Sequence, residues 1–129
     1  MKDTYELMLK IKEELDKAGF ETASPKFCNR KAFEYQGTAT KDGKSWRTPD
    51  ETCPSIARLN GFQITFTVVY RSNGMSGQSV DIIIHEWKDS SGKRIAAERV
   101  NVTHSEKQIQ NRIQKIIDKY NAIEFTRKN

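Results

Sequence analysis

Cysteine is scarce in this chain: Cys28 and Cys53 are its two, in 129 residues. That excludes the disulfide-dense scaffolds of small secreted domains. A zinc site would need both of them with His85 and His104, and these four lack the short paired spacings of metal sites. No metal and no cofactor is therefore expected. Long apolar runs are missing too, and nothing approaches the roughly 18 uninterrupted apolar residues of a membrane span. The opening "MKDTYELMLKIKEELDKAGF" is charged throughout and lacks the apolar stretch of a signal peptide. The expectation is a cytoplasmic chain with no membrane partner. No glycine-rich phosphate loop is present, since "GMSG" (residues 74–77) does not open a helix. The glycine-flanked serine elbow of many hydrolases is absent as well.

What is present suits one domain spanning residues 1–129. Hydrophobic residues make up 36% and charged residues 30%, and the aromatic and β-branched ones cluster in runs as in a folded chain. Residues 4–18 read as a helix, with Asp3 or Thr4 as cap, an apolar stripe of Met8, Ile11, Leu15 and Ala18, and Gly19 as the stop. Residues 30–40, "RKAFEYQGTAT", alternate as a strand, and Asp42-Gly43 signals a hairpin turn. "RTPDETCPS" (residues 47–55) reads as a loop. "GFQITFTVVYR" (residues 61–71) is the clearest strand. "VDIIIHEWK" (residues 80–88) is another, with residues 88–94 turning the chain into a strand over 95–103. Ser105 and Gln108 fit a capping box, followed by a helix with Ile109, Ile113, Ile116, Ile117 and Tyr120 on one side. The fold expected is α+β: a single antiparallel sheet of about four strands, with the N-terminal and C-terminal helices packed on one face.

Charge is uneven. Residues 1–87 carry 12 basic and 12 acidic side chains, and residues 88–129 carry 10 and 5, so the net +5 lies in the second stretch. A concentrated basic excess attracts polyanions. The sheet face turned away from the helices would display Gln63, Thr65, Thr67 and Arg71, then His85 and Trp87, then Arg99 and Asn101. Exposed aromatics stack on bases while Arg and Lys hold phosphates. Arg112, Lys115 and Lys119 recur along the last helix and could track the same backbone. These features point to a non-enzymatic nucleic-acid binder that prefers single strands. His85 and Trp87 would stack. Lys88, Lys93, Arg94, Arg99, Arg112, Lys115 and Lys119 would meet phosphates.

Two other readings stand beside it. Pro49-Asp50 with Glu86-Trp87-Lys88 matches the short signature of metal-dependent nucleases, in which two carboxylates hold a divalent ion and a lysine on the same strand face positions water. The plainer reading of Glu86 and Lys88 is a solvated strand end. Phe20, Phe27, Phe33, Tyr35 and Trp46, set among lysines and arginines, suit a protein-binding module such as an inhibitor or immunity-type protein of phage or mobile-element origin.

Within residues 62–117, "VDIIIHEWKDSSGKR" followed by "VNVTHSEKQIQNRIQKI" resembles the end of the positive-coactivator family of single-stranded-DNA-binding proteins. There a strand ending in an aromatic leads through an Asp/Gly turn to a last strand and a capped helix. The resemblance implies a homodimer, single-strand binding on a curved basic sheet, and contacts from Trp87, Lys88, Lys93 and Arg94. The chain departs from the family at "AAERVNV", where the family has a lysine- and glycine-rich stretch, and its first 60 residues have no counterpart there.

Overall fold

The structure, a computed structural model, describes residues 4–23, 36–41, 43–53, 55, 57–70, 76–88 and 91–124. Two helices and an open antiparallel sheet make an α+β fold. Helix α1 (Thr4–Lys17) is followed by β1 (Glu21–Ala23), β2 (Gln36–Thr40), β3 (Ser45–Pro49), β4 (Ala57–Tyr70), β5 (Ser76–Lys88) and β6 (Ser91–Asn101), and then by α2 (Glu106–Ala122). The sheet has six strands among the described residues, not about four. Its order is β1-β2-β4-β5-β6, with β3 also paired to β4.

The extra strands come from the stretch that reads least clearly in sequence. β2 pairs with residues 64–67 of β4, and β3 pairs with residues 57–61 of the same strand. They therefore lie end to end along one side of β4 and do not fold back on each other as the Asp42-Gly43 signal predicts. Asp42 itself lies outside the described residues. Between the two strands the chain bulges out. Lys44 N–H bonds to the Lys41 carbonyl, and Phe62 N–H bonds to the Lys44 carbonyl. Gly61 takes a φ of 94°, and a side chain there would collide with the Lys44 backbone. Part of the expected loop at 47–55 is thus strand, with Pro49 at its end. Proline fits there because, among the described residues, β3 borders only β4 and its missing N–H breaks no inner ladder. Phe33 and Tyr35 of the expected strand 30–40 lie outside the described residues.

One core holds these elements together. Phe62, Ile64, Phe66 and Val68 of β4, Val80, Ile82 and Ile84 of β5, and Val100 of β6 are buried at alternate positions. They form one cluster with Leu7, Met8, Ile11 and Leu15 of α1 and Ile109, Ile113, Ile116, Ile117 and Tyr120 of α2. Leu7, Phe20 and Ala39 join this core, while Val102 is only partly buried at its rim. Tyr120 donates its buried hydroxyl to the Phe62 carbonyl at 3.1 Å.

The end of α1 and the start of α2 match their sequence signals, whereas Thr4 lies inside α1 and Asp3 lies outside the described residues. At the end of α1, Gly19 (φ 89°) donates to Asp16 O, and Phe20 N–H reaches Leu15 O, which is a Schellman closure. Phe20 then packs edge-on against Tyr120, with ring centroids 4.9 Å apart. Ser105 and Gln108 form the capping box of α2 reciprocally. The far end of α2 is closed by cations from the bulge between β2 and β3. Lys44 Nζ donates to the Tyr120 carbonyl at 2.7 Å and to Asn121 O at 3.3 Å. Lys41 Nζ reaches Asn121 Oδ1 at 3.0 Å. Positive charge at a helix C-terminus meets the negative end of its dipole. Burial, then the neighbouring Lys41, holds the Lys44 ammonium below its ordinary pKa.

No helix among the described residues is long and apolar enough to cross a membrane.

Candidate nucleic-acid interface

The turn expected at 88–94 is tighter than its sequence suggests. Lys88 already pairs with Ser91, so Ser91 to Arg94 belong to β6. A β-bulge then interrupts the β5–β6 ladder: Ile84 pairs with Ala96, but the next residue, His85, pairs with Arg94. Ile95 is the extra residue, 43% exposed. The bulge shifts the alternation of β6 by one. In an unbroken ladder His85 would oppose Ile95 and Trp87 would oppose Lys93. Instead His85 stands beside Arg94, and Trp87 stands beside Gly92.

That exchange positions the tryptophan. A Cβ added to Gly92 would stand 3.0 Å from Cζ3, 3.1 Å from Cη2 and 3.2 Å from Cε3 of Trp87. Three adjacent ring atoms at nearly equal distance mean that the glycine lies beneath the flat side of the indole, since an edge-on approach would leave the two outer atoms clearly farther. On the other side the indole N–H donates to Gln63 Oε1 at 3.0 Å. Trp87 thus starts on β5 and lies across the sheet from β4 to β6, half-buried. His85 sits beside it, with centroids 5.6 Å apart and planes tilted by 40°. Its Nδ1 is 3.2 Å from the Thr65 hydroxyl. Burial, then the charge of Arg94, pushes the His85 pKa below its ordinary value, so the ring is neutral at pH 7.

The expected cations divide into three groups. Arg94 is exposed and shares the Trp87 face. Lys88 and Lys93 are exposed at the same hairpin end, but alternation starts them from the opposite face, where Lys93 opposes Glu86. Lys88, Lys93 and Arg94 form no ion pair among the described residues. Arg99 also lies on the Trp87 face, but Asp81 across the ladder binds it through two contacts of 2.8 and 3.2 Å. Arg112 donates to the Arg99 carbonyl at 3.1 Å and lies 3.9 Å from Glu98. Lys115 and Lys119 are exposed on α2, across the core from Trp87. The nine expected contact residues therefore do not form one surface. His85, Trp87 and Arg94 come together, with Lys88 and Lys93 at their border. Arg71 lies outside the described residues.

The nuclease residues do not converge either. Asp50 follows β3, whose last residue pairs with Ala57, whereas Glu86 pairs with Phe62. Five residues along β4 separate those two rungs by ~16 Å. The Asp50 carboxylate instead accepts from Thr52 N–H at 2.8 Å, Thr52 Oγ1 at 2.6 Å, and Arg58 at 2.8 and 2.9 Å. The Thr52 hydroxyl first, then Arg58, hold it well below the usual carboxylate range. No group of three or more His, Cys, Asp or Glu that could hold a metal occurs among the described residues. Cys53 is a free thiol 3.3 Å from the Ser55 hydroxyl. His104 accepts from Asn101 N–H in the turn before α2, and Cys28 lies outside the described residues. Of the aromatics that suggest a protein-binding module, Phe20 is in the core and Trp46 is half-buried on β3. Phe27, Phe33 and Tyr35 lie outside the described residues.

Gly92 and the linked pairs Gln63–Trp87 and Thr65–His85 are the parts that sequence reading misses. Gln63 and Thr65 are visible as polar outer-face positions, but their partners depend on register. Comparison of the chain with family models, with curated proteins and with solved structures finds no match.

Proposed function

We propose that this chain is a non-enzymatic, cytoplasmic nucleic-acid-binding protein that prefers single strands, with Trp87 as a stacking platform for one unpaired base. The flat-lying indole is the observation that carries this reading. One ring face rests on Gly92, the polar edge is satisfied by Gln63, and the ring is half-exposed. A ring already fixed in place loses little freedom when a base stacks on it. Neutral His85 borders the platform, and Arg94, Lys88 and Lys93 stand within reach of the adjoining phosphates. Duplex bases are stacked on each other and do not offer the free ring face that such a platform needs. The resemblance to positive coactivators implies the same chemistry and pairing with a second copy.

The charge is more local than composition suggests. Arg99 and Arg112 are already engaged, which leaves about three cations at the hairpin end. For single strands the salt dependence of log K should therefore have a slope of about −2. The test is fluorescence anisotropy of labelled single-stranded and duplex oligonucleotides at two salt concentrations, with and without magnesium. Tighter, salt-sensitive binding of single strands supports the proposal. Magnesium-dependent cleavage would redirect attention to Asp50, Glu86 and Lys88. If no strand binds, the reading fails and a protein partner becomes the target.

A further inference from the structure

Gln63 has one amide oxygen and one amide nitrogen, and Trp87 determines which faces it. An indole N–H only donates, so the oxygen must turn toward it, as the 3.0 Å bond requires. The amide nitrogen then keeps two hydrogens beside the ring, with no partner among the described residues. On the opposite side of the ring stands Arg94, whose guanidinium also has only donors. Thr65 is already bonded to His85. The direction of that bond follows the His85 tautomer, so the ring offers the base one more polar edge of either kind. The Gln63 amide and the Arg94 fork are what make the border of the platform rich in N–H groups.

From this arrangement we infer that Gln63 makes the site select bases with a carbonyl at pyrimidine position 4 or purine position 6 over bases with an amine there: uracil, thymine or guanine over cytosine or adenine. The inference rests on the proposed stacking of a base on Trp87 and adds the chemistry that the base must present. A carbonyl oxygen accepts from the amide hydrogens of Gln63 or the fork of Arg94. An exocyclic amine in the same place sets donor against donor and forfeits that bond.

Uracil and cytosine provide the test, because they share ring size and differ in oxygen against amine at position 4. Binding of dU10 and dC10 is measured by anisotropy for the native chain and for Gln63→Glu and Gln63→Leu, with thermal melts to check folding. The native chain should bind dU10 about fivefold more tightly, the equivalent of about one hydrogen bond. Glutamate can still accept from the indole, but it presents an acceptor to the base, so Gln63→Glu should reverse the preference while weakening both. Gln63→Leu should abolish the preference. Equal binding of dU10 and dC10 by the native chain overturns the inference and leaves the stacking site standing. An unreversed preference in a folded Gln63→Glu chain also overturns it. If neither oligonucleotide binds the native chain, the nucleic-acid reading falls and this inference falls with it.

Discussion

Two aromatic rings in this protein lie over glycines on neighbouring strands. Phe66 of β4 covers Gly37 of β2, its direct partner in the ladder, and Trp87 of β5 covers Gly92 of β6. The local device is the same, yet the settings are opposite. Phe66 is fully buried in the cluster that includes both helices, so its remaining surface meets other side chains. Trp87 lies on the face turned away from that cluster and stays half-exposed. Among the described residues, a second layer closes over the one ring and none closes over the other.

Substitutions should separate the two cases. Gly37→Ala has the largest expected effect on stability. Its Cβ would enter the Phe66 ring in a closed core, and overpacking of this kind costs about 1–3 kcal/mol. Gly92→Ala, read by the same denaturant titration, should change stability by no more than about 0.5 kcal/mol, because at 3.0 Å from the added Cβ the half-buried indole needs only a slight shift to make room. Equal losses at the two glycines would remove the distinction.

Trp87→Ala should weaken single-strand binding by about five- to a hundredfold, the range of one base stacked on one ring, with the salt slope unchanged. A smaller contrast concerns the two arginines on the same face. Arg94→Ala should make the salt slope shallower by about 0.7. Arg99→Ala should leave it alone, because Asp81 already neutralises that guanidinium; its cost should be at most about 1 kcal/mol of stability. A matching change in slope for both would show that the Asp81 pair opens for the ligand.

The smallest expected effect follows acidity. His85 titrates below its ordinary value in the folded chain, so below pH 6.5 the unfolded chain takes up the proton first. The stabilisation from neutral His85 should be complete above pH 6.5 and fade as pH falls toward the folded value. Denaturant midpoints at pH 7.5 and 5.5 should therefore differ more for the native chain than for His85→Gln. An identical difference in the two chains would mean that other groups carry the pH dependence.

The sequence makes some parts of this arrangement legible and hides others for specific reasons. Alternation in β4 and β5 correctly separates Ile64, Phe66, Ile82 and Ile84 from Gln63, Thr65, His85 and Trp87. Gly19 and Ser105 mark helix ends because capping is a local transaction between near neighbours. The Asp42-Gly43 pair misleads because a turn signal describes four residues and cannot say which strand receives the chain afterwards. The bulge at Ile95 is hidden because "KRIAAERV" continues plausibly in either register. Without that register, Arg94 and Arg99 look equivalent. Only the pairing of Asp81 with Arg99, and of His85 with Arg94, distinguishes a neutralised guanidinium from one with no acidic partner among the described residues. The lysines that close α2 are not legible in the sequence, since their partners are 76 and 80 positions away.

Those two lysines have a bearing on how the chain reaches its fold during synthesis. The β5–β6 hairpin needs only a short connection and can pair soon after both strands emerge from the ribosome. The clasp between Lys41, Lys44 and the end of α2 cannot form until that last helix has been made. Until then the apolar surface that α2 later covers is open to water, and the bulge that carries both lysines has no helix end to hold. Contacts that span so much sequence slow folding, because the intervening chain must give up its freedom before they form.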